Sequence, residues 1–368
     1  LVVNNCEHCG EDLSTTPCET YERRTKIDIV FEKTVTHNDG EIKKCAKCGK
    51  ETKASFPSDL NGPLQYGLGI KAYIINLIVA QMISLGRVQK LVKTLIGNVI
   101  SEATILKYIL QLHNALEQWE QSAIEQLLSS PVIHVDETSL RVNKKKPWIH
   151  VYSSGEITIK RLHQKRGLEG IEDINIIPRY GGTIIHDCWS SYLSYDHCNH
   201  GLCGSHLLRE LTFVIESNNY KWASHMKKLL KKTCKDVSQS KGKKLDDSAY
   251  KNLQKRYRTI ITQAHKELPP IPQRAKGQRG KIAKSDAHNL WERLKLHEKS
   301  VLRFVKDAHV AFTNNRAERD LRMSKVKQKV SGCFRTELLA SAYCRISAYL
   351  QTMAYKGYNP LIAIQLAF

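Results

Sequence analysis

The sequence predicts an α/β protein with a mixed sheet and a helical insertion, behind a small cysteine module and a helical region. Three observations predict it. Two β-branched runs end in an aspartate, Pro131-Val-Ile-His-Val-Asp136 and Gly181-Gly-Thr-Ile-Ile-His-Asp187, each the pattern of a buried strand. Between them lie two more strand-like stretches, Trp148-Ile-His-Val-Tyr152 and Ile157-Thr-Ile-Lys-Arg-Leu162, turned at Gly155. About 130 residues then separate Asp187 from a helical segment carrying Glu318, too many for a plain sheet-to-helix connection.

The bulk numbers narrow the class. A chain of 368 residues can hold two or more domains. Lys and Arg number 57 against 36 Asp and Glu, a net charge of +21, and such an excess draws polyanions, of which nucleic acid is the commonest. The 11 cysteines are odd in number and follow no leading apolar segment. That argues against a secreted disulfide scaffold, and a reducing cytosol fits better. The most apolar run, residues 73–83, holds Asn76 and Gln81 and is too short to span a bilayer. The first residue is Leu1 rather than Met, so an upstream segment is expected.

In chain order, residues 1–58 carry Cys6-Glu-His-Cys9-Gly10 and Cys45-Ala-Lys-Cys48-Gly49. Two cysteines three apart turn both sulfurs toward one ion, and the following glycine tolerates the left-handed backbone that aims amides at them. Cys6, Cys9, Cys45 and Cys48 are therefore the predicted ligands of a structural Zn²⁺, with His8 and Cys18 as bystanders. A redox dithiol would explain neither the doubling nor the small module. Thr25-Lys-Ile-Asp-Ile-Val-Phe31 alternates like a strand and is expected to make a β-hairpin of the long spacer.

Residues 59–129 read as helical after the turn Asp59-Leu-Asn-Gly-Pro63. Ile70, Ile74, Leu77, Ile78 and Met82 fall at helical spacing. Gly86 is expected to break that helix and Gly97 the next, with Ser101 capping a third. The pattern fits a helix-turn-helix or an ordinary three-helix bundle; the stretch from Ile105 to Leu112 is poor in the Arg and Asn of a recognition helix. An amphipathic run over 106–128 leads to the first strand.

Residues 130–325 form the predicted core. Asp136 is expected at a strand end, followed by a strand at Leu140-Arg-Val142 and a basic turn at Lys144-Lys-Lys-Pro147. Three antiparallel strands, a helix over 168–175 and a strand ending at Asp187 give the order of a ribonuclease-H-like sheet. Two strand-end aspartates and a helix glutamate are the hard-oxygen ligands for a pair of Mg²⁺ ions in phosphoryl transfer. Without a cation, their mutual repulsion would protonate one of them. Glu137 points to the opposite face of its strand, and Asp320 lies about 200° from Glu318 round a helix; neither is expected as a ligand. His134 and His186 are expected as packed strand residues rather than bases.

The insertion is placed at about 204–300. Residues 222–235 and 250–265 read as basic helices, and residues 221–284 hold 19 Lys and Arg against 4 acidic residues, a surplus of 15, as a phosphate-tracking surface requires. Trp222, Tyr250, Tyr257 and Trp291 are expected in its core rather than as base-stacking platforms. Leu268-Pro-Pro-Ile-Pro272 and Gly277-Gln-Arg-Gly280 mark a loop. Cys203 and His206 either brace the insertion against the sheet or join a metal, with Cys198 and His200 the one neighbouring pair. Arg322, Arg316, Lys227 and Lys231 are candidate DNA contacts. A helical tail, 326–368, closes the chain.

Ile133-His-Val-Asp136-Glu-Thr, Ile185-His-Asp187-Cys-Trp-Ser-Ser-Tyr192, Leu202-Cys-Gly-Ser-His206-Leu-Leu-Arg-Glu-Leu211 and Asn314-Asn-Arg-Ala-Glu318-Arg-Asp-Leu-Arg322 together resemble the insertion-sequence-66 family of bacterial DDE transposases. The resemblance covers almost the whole chain, including the cysteine ribbon, the helical linker and Lys327-Gln-Lys-Val-Ser-Gly-Cys-Phe-Arg335. It implies that Asp136, Asp187 and Glu318 are the catalytic triad, holding two Mg²⁺ or Mn²⁺ ions. Cys203-x-x-His206 resembles the pair that marks transposases with a helical insertion. The resemblance also implies DNA cleavage at terminal repeats, strand transfer into target DNA, a homo-oligomeric active complex, accessory proteins of the same element and a bacterial, nucleoid-associated location. Two other readings stand beside it: a DNA-binding regulator with an unused triad, and a nuclease without strand transfer.

Overall fold

The structure, a computed structural model, describes residues 1–30, 32–60, 62–271 and 284–368. It divides into two compact units, Leu1–Asp59 and Leu60–Phe368.

In the first unit, strands β1 (Ile42–Lys44) and β2 (Glu51–Lys53) pair antiparallel around the second cysteine pair. The hairpin is thus not where alternation placed it. Residues 25–30 have no strand, and Phe31 lies outside the described residues. The physical reason is burial: Ile27 and Ile29 are 89% and 75% exposed, and alternation makes a strand only where one face finds a partner. No described side chain of this unit is buried, as expected of a module too small to stabilise itself by core packing.

The second unit starts with α1 (Leu68–Ile75), which runs into a π-helical turn at Asn76–Ala80. The break comes at Met82, at φ +60°, and not at Gly86, which sits in the first turn of α2 (Leu85–Ile96). Gly97 ends α2 with φ +76°. Ser101 caps α3 (Glu102–Ala115), its side chain accepting from the Thr104 amide at 3.1 Å. The long amphipathic run is two helices, because Leu116 leaves the helical conformation before α4 (Glu117–Leu128).

Strands β3 (Val132–Ser139), β4 (Trp148–Ser154) and β5 (Ile157–His163) follow. Then come α5 (Leu168–Ile174), β6 (Thr183–His186), α6 (Ser190–Leu193) and β7 (Asn199–Leu202). The sheet order is β5-β4-β3-β6-β7. The β5-β4-β3 pairs are antiparallel and the β3-β6-β7 pairs parallel, which is the ribonuclease-H-like arrangement. Leu140-Arg-Val142 is not a separate strand. β3 itself continues past Asp136, because Glu137, Thr138 and Ser139 pair with His150, Ile149 and Trp148.

Between β7 and the helix bearing Glu318 lie α7 (Gly204–Asn218), α8 (Lys221–Gln239), α9 (Asp247–Glu267), α10 (Asp286–Leu296), α11 (Glu298–Val301) and α12 (Arg303–Lys306). Trp222, Met226, Tyr257 and Leu294 form an apolar core that the insertion shares with Val132, Ile185 and Leu202 of the sheet, so Trp222 and Tyr257 are packing residues, as expected. The proposed loop at Pro272 and 277–280 lies outside the described residues.

The chain closes with α13 (Asn315–Ser331), α14 (Glu337–Tyr355) and α15 (Pro360–Ala367). The 325/326 boundary expected from sequence falls inside α13. One apolar core joins Ala72, Ile105 and Leu112 from the first helices to Val151 of the sheet and to Ala340, Ile346 and Ile364 from the last. A second, on the other face, holds Ile133, Val135, Tyr152 and Ile171. Two buried charges tie these layers. Glu120 accepts from Arg345 at 2.8 Å and faces Arg161 at 3.1 Å. Lys327 of α13 donates to the Ile78 carbonyl at 3.1 Å, a group the π-helical turn leaves available.

Candidate active site

Three elements carry the predicted carboxylates. Asp136 lies mid-strand in β3, opposite Val151 of β4, not at a strand end. On its other side the parallel ladder stops at His134↔Ile185. Carried two residues on, that register sets Asp136 beside Asp187, which follows β6 directly. Glu318 is in the first turn of α13, a helix that packs on β3 and β4.

The three share an electrostatic neighbourhood. Burial pushes the Asp136 carboxyl up to about 7; the charges of Glu137, Asp187 and Glu318 add to it, against one opposing hydrogen bond from the Glu137 amide. That bond, to Asp136 Oδ1, is 2.8 Å long. The oxygens do not crowd onto one point. Among the described residues, the one set of three or more ligand-type side chains within 4.8 Å of one another is Cys203, His206 and Glu318. A two-ion site, with ions about 3.5–4 Å apart, needs carboxylates spread wider than a single-ion shell.

The neighbouring acids are engaged elsewhere. Glu137 accepts from Tyr192 Oη at 2.6 Å and Arg166 Nε at 2.7 Å, and the Arg166 guanidinium lies over the rings of Trp189 and Trp148 at 4.2 and 5.0 Å. Asp320 is buried and accepts from Ser153 Oγ, Thr158 Oγ1, Arg316 Nε and Tyr355 Oη at 2.7–3.0 Å. Arg316 also donates to the Gly155 carbonyl at 2.6 Å and stacks on Tyr355. Its guanidinium is therefore bonded within the fold, which explains its presence without any DNA phosphate.

Neither strand histidine is placed to act as a base. His186 is fully buried, with Nε2 3.1 Å from His200 Nδ1. Burial, with His200 and His297 nearby, holds it down to about 3. Burial also lowers His134, whose Nδ1 faces Asn314 Oδ1 at 3.0 Å.

Cys203 and His206 meet Glu318 rather than a second Cys/His pair. Cys203 Sγ is 3.9 Å and His206 Nδ1 3.6 Å from Glu318 Oε1. Burial alone would raise the Cys203 thiol, but hydrogen bonds from His206 and the Asn314 amide outweigh it and hold the thiol below its ordinary value. The same Cys203 contact raises His206 against its burial.

Of the candidate DNA contacts, Arg322 and Lys231 are exposed and Lys227 is half-buried. A groove of about 570 Å³ between α8 and α9 is lined by His225, Lys228, Lys232, Asn252, Lys255 and Arg256 among others, with no carboxylate. Sequence reasoning passed over these four cations. Their signal was there, since Lys228 and Lys232 are one turn apart on the polar side of α8, but only the packing of α9 pairs them with Lys255 and Arg256. Asn314 was also passed over; nothing local distinguishes it from Asn315.

Residues 63–342 match the family model described as Transposase IS66 family. The chain belongs to the IS66 transposase family. The matched span runs from ahead of α1 into α14 and takes in the whole sheet, the insertion and all three carboxylates. DNA binding and divalent-metal chemistry come with membership of this DDE family, and the cysteine module lies outside the match. None of the curated proteins matches the chain. Among the described residues, no helix is long and apolar enough to cross a membrane.

Proposed function

We propose that this IS66-family chain cuts DNA strands at transposon ends and joins the freed 3′ end to target DNA, with Asp136, Asp187 and Glu318 as ligands of two Mg²⁺ ions. The observation that carries the reading is Asp136. Its carboxyl is held up to about 7 by burial and by the surrounding carboxylates, an arrangement that a divalent cation relieves. The donor set is all hard oxygen and fits Mg²⁺. When bound, the ions supply an activated water or 3′-hydroxyl and a stabilised leaving oxygen.

The chain's own residues orient and exclude. Asp136 in β3 and Asp187 directly after β6 sit on neighbouring parallel strand paths, and α13, packed on β3, carries Glu318 into the electrostatic neighbourhood of Asp136. No side-chain nucleophile or base is assigned, because burial makes His134 and His186 poor proton acceptors and their ring nitrogens face Asn314 and His200. Phosphate contacts are assigned to the α8–α9 groove, with Lys227, Lys231 and Arg322 beside or beyond it. The active complex is assigned as a homo-oligomer.

Cys6, Cys9, Cys45 and Cys48 are assigned to one structural Zn²⁺. The two pairs have matching turns. The Gly10 and Gly49 amides donate to the Cys6 and Cys45 carbonyls at 2.9 and 2.8 Å, both glycines have positive φ, and backbone amides lower the Cys6 and Cys45 thiols. Amides turned onto sulfur are what a thiolate ligand needs. The four do not form a single tight cluster among the described residues, so the fit rests on each turn separately.

The test is a Mg²⁺-dependent cleavage and joining assay on a duplex bearing the element's terminal inverted repeat. Wild type should cut and join, while Asp136→Asn, Asp187→Asn and Glu318→Gln should bind the duplex and leave it whole. Binding without any cutting by wild type would identify a DNA-binding regulator instead. Cutting without joining would identify a nuclease.

A further inference from the structure

A closed hydrogen-bonded path runs past all three carboxylates, and two side chains are its nodes. The Cys203 amide donates to the carbonyl of His186 at 2.9 Å, the residue before Asp187. Cys203 Sγ accepts from the Asn314 amide at 3.1 Å. Asn314 Nδ2 donates to the carbonyl of Val135 at 2.8 Å, the residue before Asp136. The Asn314 carbonyl accepts from the Glu318 amide at 3.3 Å. The path closes where the Cys203 thiol donates to Glu318 Oε1 at 3.9 Å; His206 Nδ1 lies 3.6 Å from the same oxygen, an ion-pair contact beside the path rather than a hydrogen bond in it.

The nodes are tightly seated. Asn314 and Cys203 are both 1% exposed, and Asn314 Oδ1 is met by His134, so both ends of the asparagine amide are satisfied. The Gly204 amide donates to the Phe312 carbonyl at 2.7 Å, and a Cβ at Gly204 would lie 2.3 Å from the Phe312 ring. The start of α7 and the turn before α13 are therefore in contact at backbone distance. A stability role alone does not account for why the links that leave the Asn314–Cys203 pair for His186, Val135 and Glu318 each end at, or one residue before, one of the three acids.

We propose that Asn314 and Cys203 form a clasp that sets the spacing of Asp136, Asp187 and Glu318, and that His206 orients the Glu318 carboxylate within it. These are positioning residues, and the inference rests on the reading of those three acids as the metal site. It also gives the insertion a task at the active site, since its first helix, α7, carries His206 and is preceded directly by Cys203.

The experiment is Mn²⁺ binding to the full chain, followed by calorimetry. Wild type should bind and Asp136→Asn should not. Cys203→Ala and His206→Gln should each weaken Mn²⁺ binding about 10- to 100-fold, the range for residues that orient a metal's ligands. Cys203→Ser, which still accepts from the Asn314 amide, should recover most of the loss. In a Glu318→Gln chain, where no carboxylate remains to be oriented, His206→Gln should cost less than about twofold.

Unchanged binding in Cys203→Ala and His206→Gln overturns the inference while the metal site stands. Equal losses with and without Glu318 also overturn it, because the residues would then serve the fold alone. Should Cys203→Ala fail to fold, the half-exposed His206→Gln carries the same test. If wild type binds no Mn²⁺, the metal-site reading falls and the clasp falls with it.

Discussion

Replacing Asp136 by Asn should stabilise the metal-free protein at pH 8, and the effect can be sized. The carboxyl rises from 3.8 to about 7 on folding, so the folded state holds its proton more tightly than the unfolded chain. Its contribution is fully present below about pH 4 and is lost as pH climbs through 7. Each tenfold difference in proton affinity between the two states is worth about 1.36 kcal/mol, which sets a ceiling of about 4 kcal/mol at pH 8 and about 1.7 kcal/mol at pH 5. Relative to Asp136→Asn, wild type should therefore lose about 2–3 kcal/mol between those two pH values. Urea unfolding followed by tryptophan fluorescence, in buffer without added divalent ions, measures the difference. Millimolar Mg²⁺ should restore wild type at pH 8 and leave the variant unchanged. Parallel pH profiles for the two proteins, or equal stabilisation of both by Mg²⁺, would refute the reasoning.

Other expectations follow from the same geometry. Lys160 is wholly buried, with Ser347 Oγ 3.4 Å away, and burial lowers it to about 8. Its protonated form is costly below that pH, so Lys160→Met should gain about 2–3 kcal/mol at pH 7, with the gain fading in unfolding curves above pH 10. Cys9→Ser or Cys48→Ser should drop zinc content from about one ion per chain to near none, read by atomic emission. Lys228→Ala with Lys232→Ala should flatten the salt dependence of DNA binding by about 2 in the slope of log K against log salt, while substitutions at exposed lysines of the cysteine module serve as the comparison.

The parts of the fold that could be read from the sequence were those whose signal is local. β4, β5 and β6 announce themselves by β-branched residues, and Ser101 and Gly97 mark helix ends through side-chain capping and a left-handed backbone. What escaped depends on partners far along the chain. Glu137, Thr138 and Ser139 look like the end of a strand and are held in β3 only because β4 offers the matching ladder. Asn199–Leu202 carries no strand pattern, yet it becomes β7 by lying beside β6. In the cysteine module the opposite happened, and an alternating stretch stayed irregular for lack of a surface to cover. At the site, the acids could be picked from their strand and helix settings, whereas the contact of Cys203 with Glu318 spans 115 residues and leaves no trace in local pattern.

The shared core of the second unit has a consequence for biosynthesis. Ala72 and Ile364 belong to one apolar cluster, and α14 packs on β5, so one side of the sheet stays uncovered until α14 has left the ribosome. Glu318 is made long after both aspartates, on a helix that packs on β3 and β4. A polypeptide still under translation thus carries both aspartates before the helix that covers the sheet exists, and termination ahead of α14 should yield an aggregation-prone fragment.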